Sequence, residues 1–199
     1  MTEPLLEIEM KFRVPNLAEY EQIARERLGV EFGAPKREDD LFFRNDALGF
    51  PDQGKSLRIR RRDDYLAATF KGPRLDAQTK TREERELPLA NATGSVDNAQ
   101  REWTTFFERL GFAPAARVVK TRRRASLSYS SREFELTLDV LEGIGVFTEL
   151  ETTAPRLEFD AAKKVLLELA ESLDLRASET KSYLALALEA ATGKPIDEK

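Results

Sequence analysis

The chain has no cysteine and no histidine among its 199 residues. The first absence excludes disulfides, thiolate nucleophiles and cysteine-bearing zinc sites. The second removes the usual general base and the commonest ligand of zinc or copper. Any metal must therefore rest on oxygen ligands, which points to Mg²⁺ or Mn²⁺. A basic surplus is also missing: 32 Lys and Arg stand against 36 Asp and Glu, a net charge of −4. General binding to nucleic acid or to an anionic membrane needs the opposite balance, so neither is expected as a partner. An anion would have to be held by a local concentration of Lys and Arg. No apolar run approaches about 18 residues, and the opening MTEPLLEIEM is acidic, unlike a secretory signal. The expectation is a soluble, cytoplasmic protein.

What is present is charge, at 34% of residues against 41% apolar. That is high for one and low for the other, and fits either an ion-paired surface or a charged cavity. Residues 5–14 alternate, with Leu6, Ile8, Met10, Phe12 and Val14 on one face of a strand and Glu7, Glu9, Lys11 and Arg13 on the other. A helix follows, opened at Asn16 with Glu19 three residues on and stopped by Gly29. Further strands are predicted near 37–44, 55–62, 65–71, 80–89, 116–129, 132–140 and 146–153, with Asn, Asp, Gly, Pro or Ser at most turns. A helix near 95–110 carries Trp103, Phe106, Phe107 and Leu110 as its apolar stripe, and the C-terminal part is helical. The expected organisation is one domain over residues 1–191 with a tail at 192–199.

Eight strands in mostly hairpin order can close on themselves, which leaves no exposed edge. The predicted class is α+β: a closed eight-stranded antiparallel β-barrel with helices packed outside. Strand pattern alone favours a half-exposed sheet, polar side to water. Against it stand like-charged i, i+2 pairs: Glu7/Glu9, Arg58/Arg60, Glu84/Glu86, Lys120/Arg122 and Glu149/Glu151. Such residues lie roughly 7 Å apart on one side of a strand and repel unless counter-charge intervenes. A polyvalent ligand requires that arrangement. The inward acids would be Glu7, Glu9, Glu84, Glu86, Asp139, Glu149 and Glu151, nearly balanced by Lys11, Arg58, Arg60, Lys71, Lys120 and Arg122. Forked basic contacts and a carboxylate-held divalent ion are what a triphosphate needs.

Several motifs carry a resemblance. Glu7 to Lys11 reads ExExK, followed in order by Asp40 to Phe43 (DLFF), Leu57 to Arg60 (LRIR), Thr69 to Pro73 (TFKGP) and Arg82 to Glu86 (REERE). Then come Lys120 to Arg122, Leu138-Asp139, Gly145 to Glu151 (GVFTELE) and Lys181 to Tyr183. ExExK alone is weak; the ordered set is specific. It resembles the CYTH superfamily, the triphosphate tunnel metalloenzymes, through its class IV adenylyl cyclase-like branch. The resemblance implies that Glu7, Glu9, Asp139, Glu149 and Glu151 bind Mg²⁺ or Mn²⁺. It implies that Lys11, Arg58, Arg60, Lys71, Lys120 and Arg122 hold the phosphates, with Glu84 and Glu86 in support. On the same resemblance, Lys11, Lys71 and Glu9 are the expected catalytic residues. The family commonly has Tyr where Phe42 stands, which removes that phenol as a proton carrier.

The implied activity is conversion of ATP to cyclic AMP and pyrophosphate. The alternative is hydrolysis of inorganic, thiamine or nucleoside triphosphate, which the sequence hardly separates from it. A polyphosphate- or nucleotide-binding module without turnover would not need five metal-type carboxylates. A homodimer is compatible with the sequence and not specified by it.

Overall fold

The computed structural model describes residues 5–51, 54–89 and 94–196. Among the described residues eight strands and four α-helices follow in the order β1 (Leu6–Arg13), α1 (Leu17–Leu28), β2 (Lys36–Arg44), β3 (Ser56–Arg62), β4 (Tyr65–Lys71), β5 (Arg82–Pro88), α2 (Val96–Arg109), β6 (Ala113–Tyr129), β7 (Arg132–Leu141), β8 (Gly145–Ala154), α3 (Phe159–Ser172) and α4 (Tyr183–Thr192). The strands close into an antiparallel barrel in the order β1-β5-β4-β3-β2-β6-β7-β8. Closure removes the edges that an open sheet of this length would expose. Among the described residues no helix is long and apolar enough to cross a membrane.

Local signals place most boundaries. The Asn16 side chain caps α1 by accepting from the Ala18 and Glu19 N–H groups, and Gly29 closes it at φ 66, a left-handed turn that glycine adopts without strain. Ser95 caps α2 through the Asn98 N–H. β6 starts three residues before the predicted 116, and β5 begins at Arg82, so Lys80 lies on the loop before it. Of the predicted tail, Thr192 closes α4 and residues 197–199 fall outside the described residues.

The chain folds as two compact units that interleave in sequence. One takes its described residues from 1–36, 75–83 and 121–180. Its apolar core sets Leu6, Ile8, Met10 and Phe12 of β1 with Leu136, Leu138 and Leu150 beneath Ala162, Leu166 and Leu169 of α3. Tyr20 and Ala24 of α1 complete it. The other unit spans 37–74, 84–120 and 181–199. There Phe43, Ile59 and Leu66 pack with Val96, Ala99 and Phe107 of α2, Phe43 meeting Phe107 edge-on at 5.2 Å. The expected α2 stripe is only partly right. Phe107 is buried, whereas Phe106 and Leu110 are more than half exposed. Val96, Ala99, Trp103 and Phe107 set the inner line of the helix, which leaves Phe106 on its flank and Leu110 at the cap.

Outside β5, the apolar residues of the strands pack with helix residues in one unit or the other. The alternate side of β1, with Glu7, Glu9 and Lys11, is buried as well. A strand buried on both faces, one apolar and one charged, is what a charged barrel interior requires.

The loop between β4 and β5 is tied down by Asp76, whose carboxylate accepts from the Thr79 and Gln78 N–H groups and the Thr79 hydroxyl. It also takes the Lys163 ammonium of α3 at 2.7 Å. Desolvation works to raise this carboxyl, but Lys163 and the loop donors outweigh it and bring it down to about 2. A carboxyl lowered on folding stabilises above its ordinary value of 3.8 and loses that contribution as pH falls through about 2. Asp76→Asn is therefore expected to cost about 2 kcal/mol at pH 7. In urea melts across pH, its deficit should close between 3.8 and about 2; a deficit independent of pH would refute the assignment.

Candidate active site

The first unit carries a charged cluster built on strand register. β1 sets Glu9 beside Glu151 and Lys11 beside Glu149 on β8. β7 continues both rows, with Glu135 opposite Glu151 and Thr137 opposite Glu149. Glu7 faces Arg82 of β5. From β6, Arg122 forks onto Asp139, Nε to Oδ1 at 2.6 Å, and its Nη2 also reaches Glu149. Arg124, on the same side of β6, bonds Glu135 at 3.1 Å. Arg123 points the other way, to Glu21 and the Phe32 carbonyl. Lys80 brings its ammonium 3.7 Å from Glu9. Burial holds the Lys80 amine well below its ordinary value and Lys11 lowers it further, while Glu9 and Glu149 oppose both.

The second unit has Asp40 as its hub. Asp40 accepts from Arg60 Nε and Nη2, both at 2.7 Å, and from Lys120 Nζ at 2.8 Å. Glu38 lies 3.0 Å from Lys120 and 3.3 Å from Arg60. Asp40, Glu38 and Lys120 are 1% exposed or less. Burial alone would raise the Asp40 carboxyl, yet Lys120, Arg60 and Arg58 together hold it well below the carboxylate range. Lys71 pairs with Glu84 at 2.7 Å, with Arg58 3.9 Å from the same carboxylate. Glu86 takes Arg62, Tyr65 and Thr69. The run from Arg82 to Glu86 is thus not a simple solvated one: Arg82 is buried, and Glu84 and Glu86 hold the bases beside them.

All thirteen residues singled out in the sequence lie on strands of the barrel. Glu7, Glu9, Lys11, Arg122, Asp139, Glu149 and Glu151 fall in the first unit. Arg58, Arg60, Lys71, Glu84, Glu86 and Lys120 fall in the second. Sequence reasoning left out Glu38, Asp40, Arg62, Lys80 and Arg82 as site residues. Asp40 stood inside a quoted motif, and Glu38 shares its face two residues away.

Against known proteins, a CYTH domain model matches residues 5–183. The chain belongs to the CYTH family. A Methanocaldococcus jannaschii protein named as a candidate adenylate cyclase is 28% identical over 186 residues, 92% of this chain and 98% of that one. A solved Pyrococcus horikoshii protein aligns at 30% identity and TM-score 0.75, covering 92% and 98%. A Hippeastrum protein, described as a candidate adenylyl cyclase with a dominant triphosphatase activity, shares the fold at 20% identity and TM-score 0.57, covering 96% and 97%.

Two features of this CYTH barrel bear on chemistry. Phe42 is buried on the side of β2 that carries Asp40, and its ring has no hydroxyl to donate or remove a proton. The carboxylates Glu9, Glu149 and Glu151 on adjoining strands are donors of the kind a hard divalent ion takes. As the side chains stand, however, no three carboxylates among the described residues are gathered closely enough to hold one. Arg122 occupies Asp139 and Glu149.

Removing one cation from the second cluster leaves two buried carboxylates short of counter-charge. Lys120→Met is expected to lose about 3–5 kcal/mol in chemical denaturation. Adding Asp40→Asn should recover part of it, a coupling that a double-mutant cycle measures. Purely additive losses would show that Lys120 and Asp40 do not depend on each other.

Proposed function

We propose that this protein is a divalent-metal-dependent enzyme that converts ATP to cyclic AMP and pyrophosphate. The observation that carries the reading is the concentration of Lys and Arg on barrel strands away from bulk water. Lys11, Lys120, Arg60 and Arg122 are each buried, and the side chains of Arg58 and Lys71 are 13% and 12% exposed. Cations are withdrawn from water to this degree only against permanent counter-charge, and a polyphosphate can take that place. These six are the proposed phosphate ligands. Arg suits the forked contact with phosphate oxygens, and Lys serves as a point charge. The naming of the 28% identical relative, matched over 98% of its length, favours the cyclase reaction over hydrolysis.

In that reaction the ribose 3′-hydroxyl passes its proton to a lysine amine or carboxylate and attacks the α-phosphorus, and pyrophosphate leaves. A bound Mg²⁺ or Mn²⁺ would polarise phosphate oxygens and lower the pKa of the attacking hydroxyl. Glu7, Glu9, Asp139, Glu149 and Glu151 are its proposed ligands, which requires Arg122 to exchange its carboxylate partners for phosphate oxygens. The phosphate-holding side chains then fix the chain of phosphates in line and neutralise the leaving group. Glu84 positions Lys71, and Asp40 positions Arg60 and Lys120.

The test is incubation of the protein with Mg²⁺ or Mn²⁺ and, separately, ATP, inorganic triphosphate and thiamine triphosphate, with products read by phosphorus NMR. Cyclic AMP with pyrophosphate is expected. Orthophosphate instead would replace cyclisation by hydrolysis, and tight binding without products would make the protein a binding module. Glu9→Gln is expected to abolish turnover with the fold intact by circular dichroism, and full activity would overturn the metal assignment. Arg58→Ala should weaken triphosphate binding about tenfold or more, as expected for loss of a charge-assisted contact.

A further inference from the structure

The last residue of β1 facing the charged side is Arg13, two positions beyond Lys11. Lys11 is 1% exposed, whereas half of the Arg13 side chain is open to solvent. The charged face of β1 therefore runs from closed to open between these two residues. Register sets Arg13 opposite Phe147 of β8. The guanidinium carbon lies 4.6 Å from the ring centroid, and Lys11 Nζ lies 6.0 Å from the same centroid. Arg13 Nη1 donates to the Ile144 carbonyl at 3.2 Å, and Glu179 is 4.0 Å from Nη2.

Gly145 makes room for this placement. Its φ is +148, and a Cβ there would sit 2.6 Å from Arg13 Nη1. Only a residue without a side chain lets the guanidinium settle against the β7–β8 turn. The result is a planar cation held over an aromatic ring, on a side chain half of which is in water, beside the proposed phosphate ligand Lys11 of the same strand.

We propose that the exposed plane of Arg13 is the stacking platform for the nucleobase of a nucleoside triphosphate, and so a specificity-determining residue. The inference rests on the triphosphate reading above and adds which head group is preferred. A guanidinium stacks on base and ring faces where an ammonium does not. A triphosphate with no base would forgo that contact.

Calorimetric titration of the full chain in Mg²⁺, with α,β-methylene ATP and with inorganic triphosphate, tests it. Wild type should prefer the nucleotide analogue. In both Arg13→Ala and Arg13→Lys that preference should fall about tenfold, the scale of one base stack. The lysine variant keeps the charge and loses only the plane, so loss in both assigns the effect to stacking. An unchanged preference in either variant, with triphosphate still bound, overturns the platform and leaves the phosphate site standing. Failure of wild type to bind either probe overturns both.

Discussion

Lys11, Lys120, Asp40 and Asp139 are each almost wholly removed from water. An ion in that position is tolerated only beside counter-charge and hydrogen-bond partners. Every other choice in the barrel is arranged around that requirement. Arg122 forks onto Asp139 while reaching Glu149, and Asp40 gathers Arg60 and Lys120 at once. Single pairs would leave lone pairs or ammonium protons without partners, so the charges are shared in networks. Replacing such networks by apolar side chains would often be neutral or stabilising for a fold. Their presence on the barrel strands therefore argues for a use other than stability.

Stability comes instead from the opposite faces of the same strands. Ile8, Met10 and Phe12 work against α3 in one unit, and Ile59 and Leu66 against α2 in the other. Period-two alternation thus assigns each strand two duties. A one-residue slip in β1 would put Lys11 among the leucines and Phe12 among the carboxylates. The cross-strand pairs fix against that slip, with Glu149 opposite Lys11 on one side and Thr137 on the other.

Much of this was legible in the sequence where alternation is clean. In β1, charge and apolar residues take turns without exception, and Arg58 and Arg60 do the same around Ile59. Legibility failed where charge is continuous. Lys36 to Asp40 is an unbroken charged run, so periodicity cannot say that Asp40 turns inward while Asp39 pairs with Arg117 on the other face. Lys80 escaped for another reason: it is not on a strand. It is drawn to β1 by its own N–H, which donates to the Glu9 carbonyl at 2.8 Å. A tertiary backbone bond of that kind leaves no local pattern. The aromatic stripe of α2 was over-read because helical spacing names a face without setting its width.

On the proposed reading, the same pairs also govern how ligand enters. A phosphate oxygen that takes the place of a carboxylate on Arg122 removes counter-charge from Asp139 or Glu149, and weakening the pairing of a buried carboxylate is costly. A divalent ion held by Asp139 and Glu149 would be a replacement partner and would supply positive charge to the incoming phosphates. Metal and triphosphate would then be coupled through charge balance, each favouring the binding of the other. The pairing of Arg122 with Asp139 and Glu149 would then be exchanged only when metal and phosphate are both present.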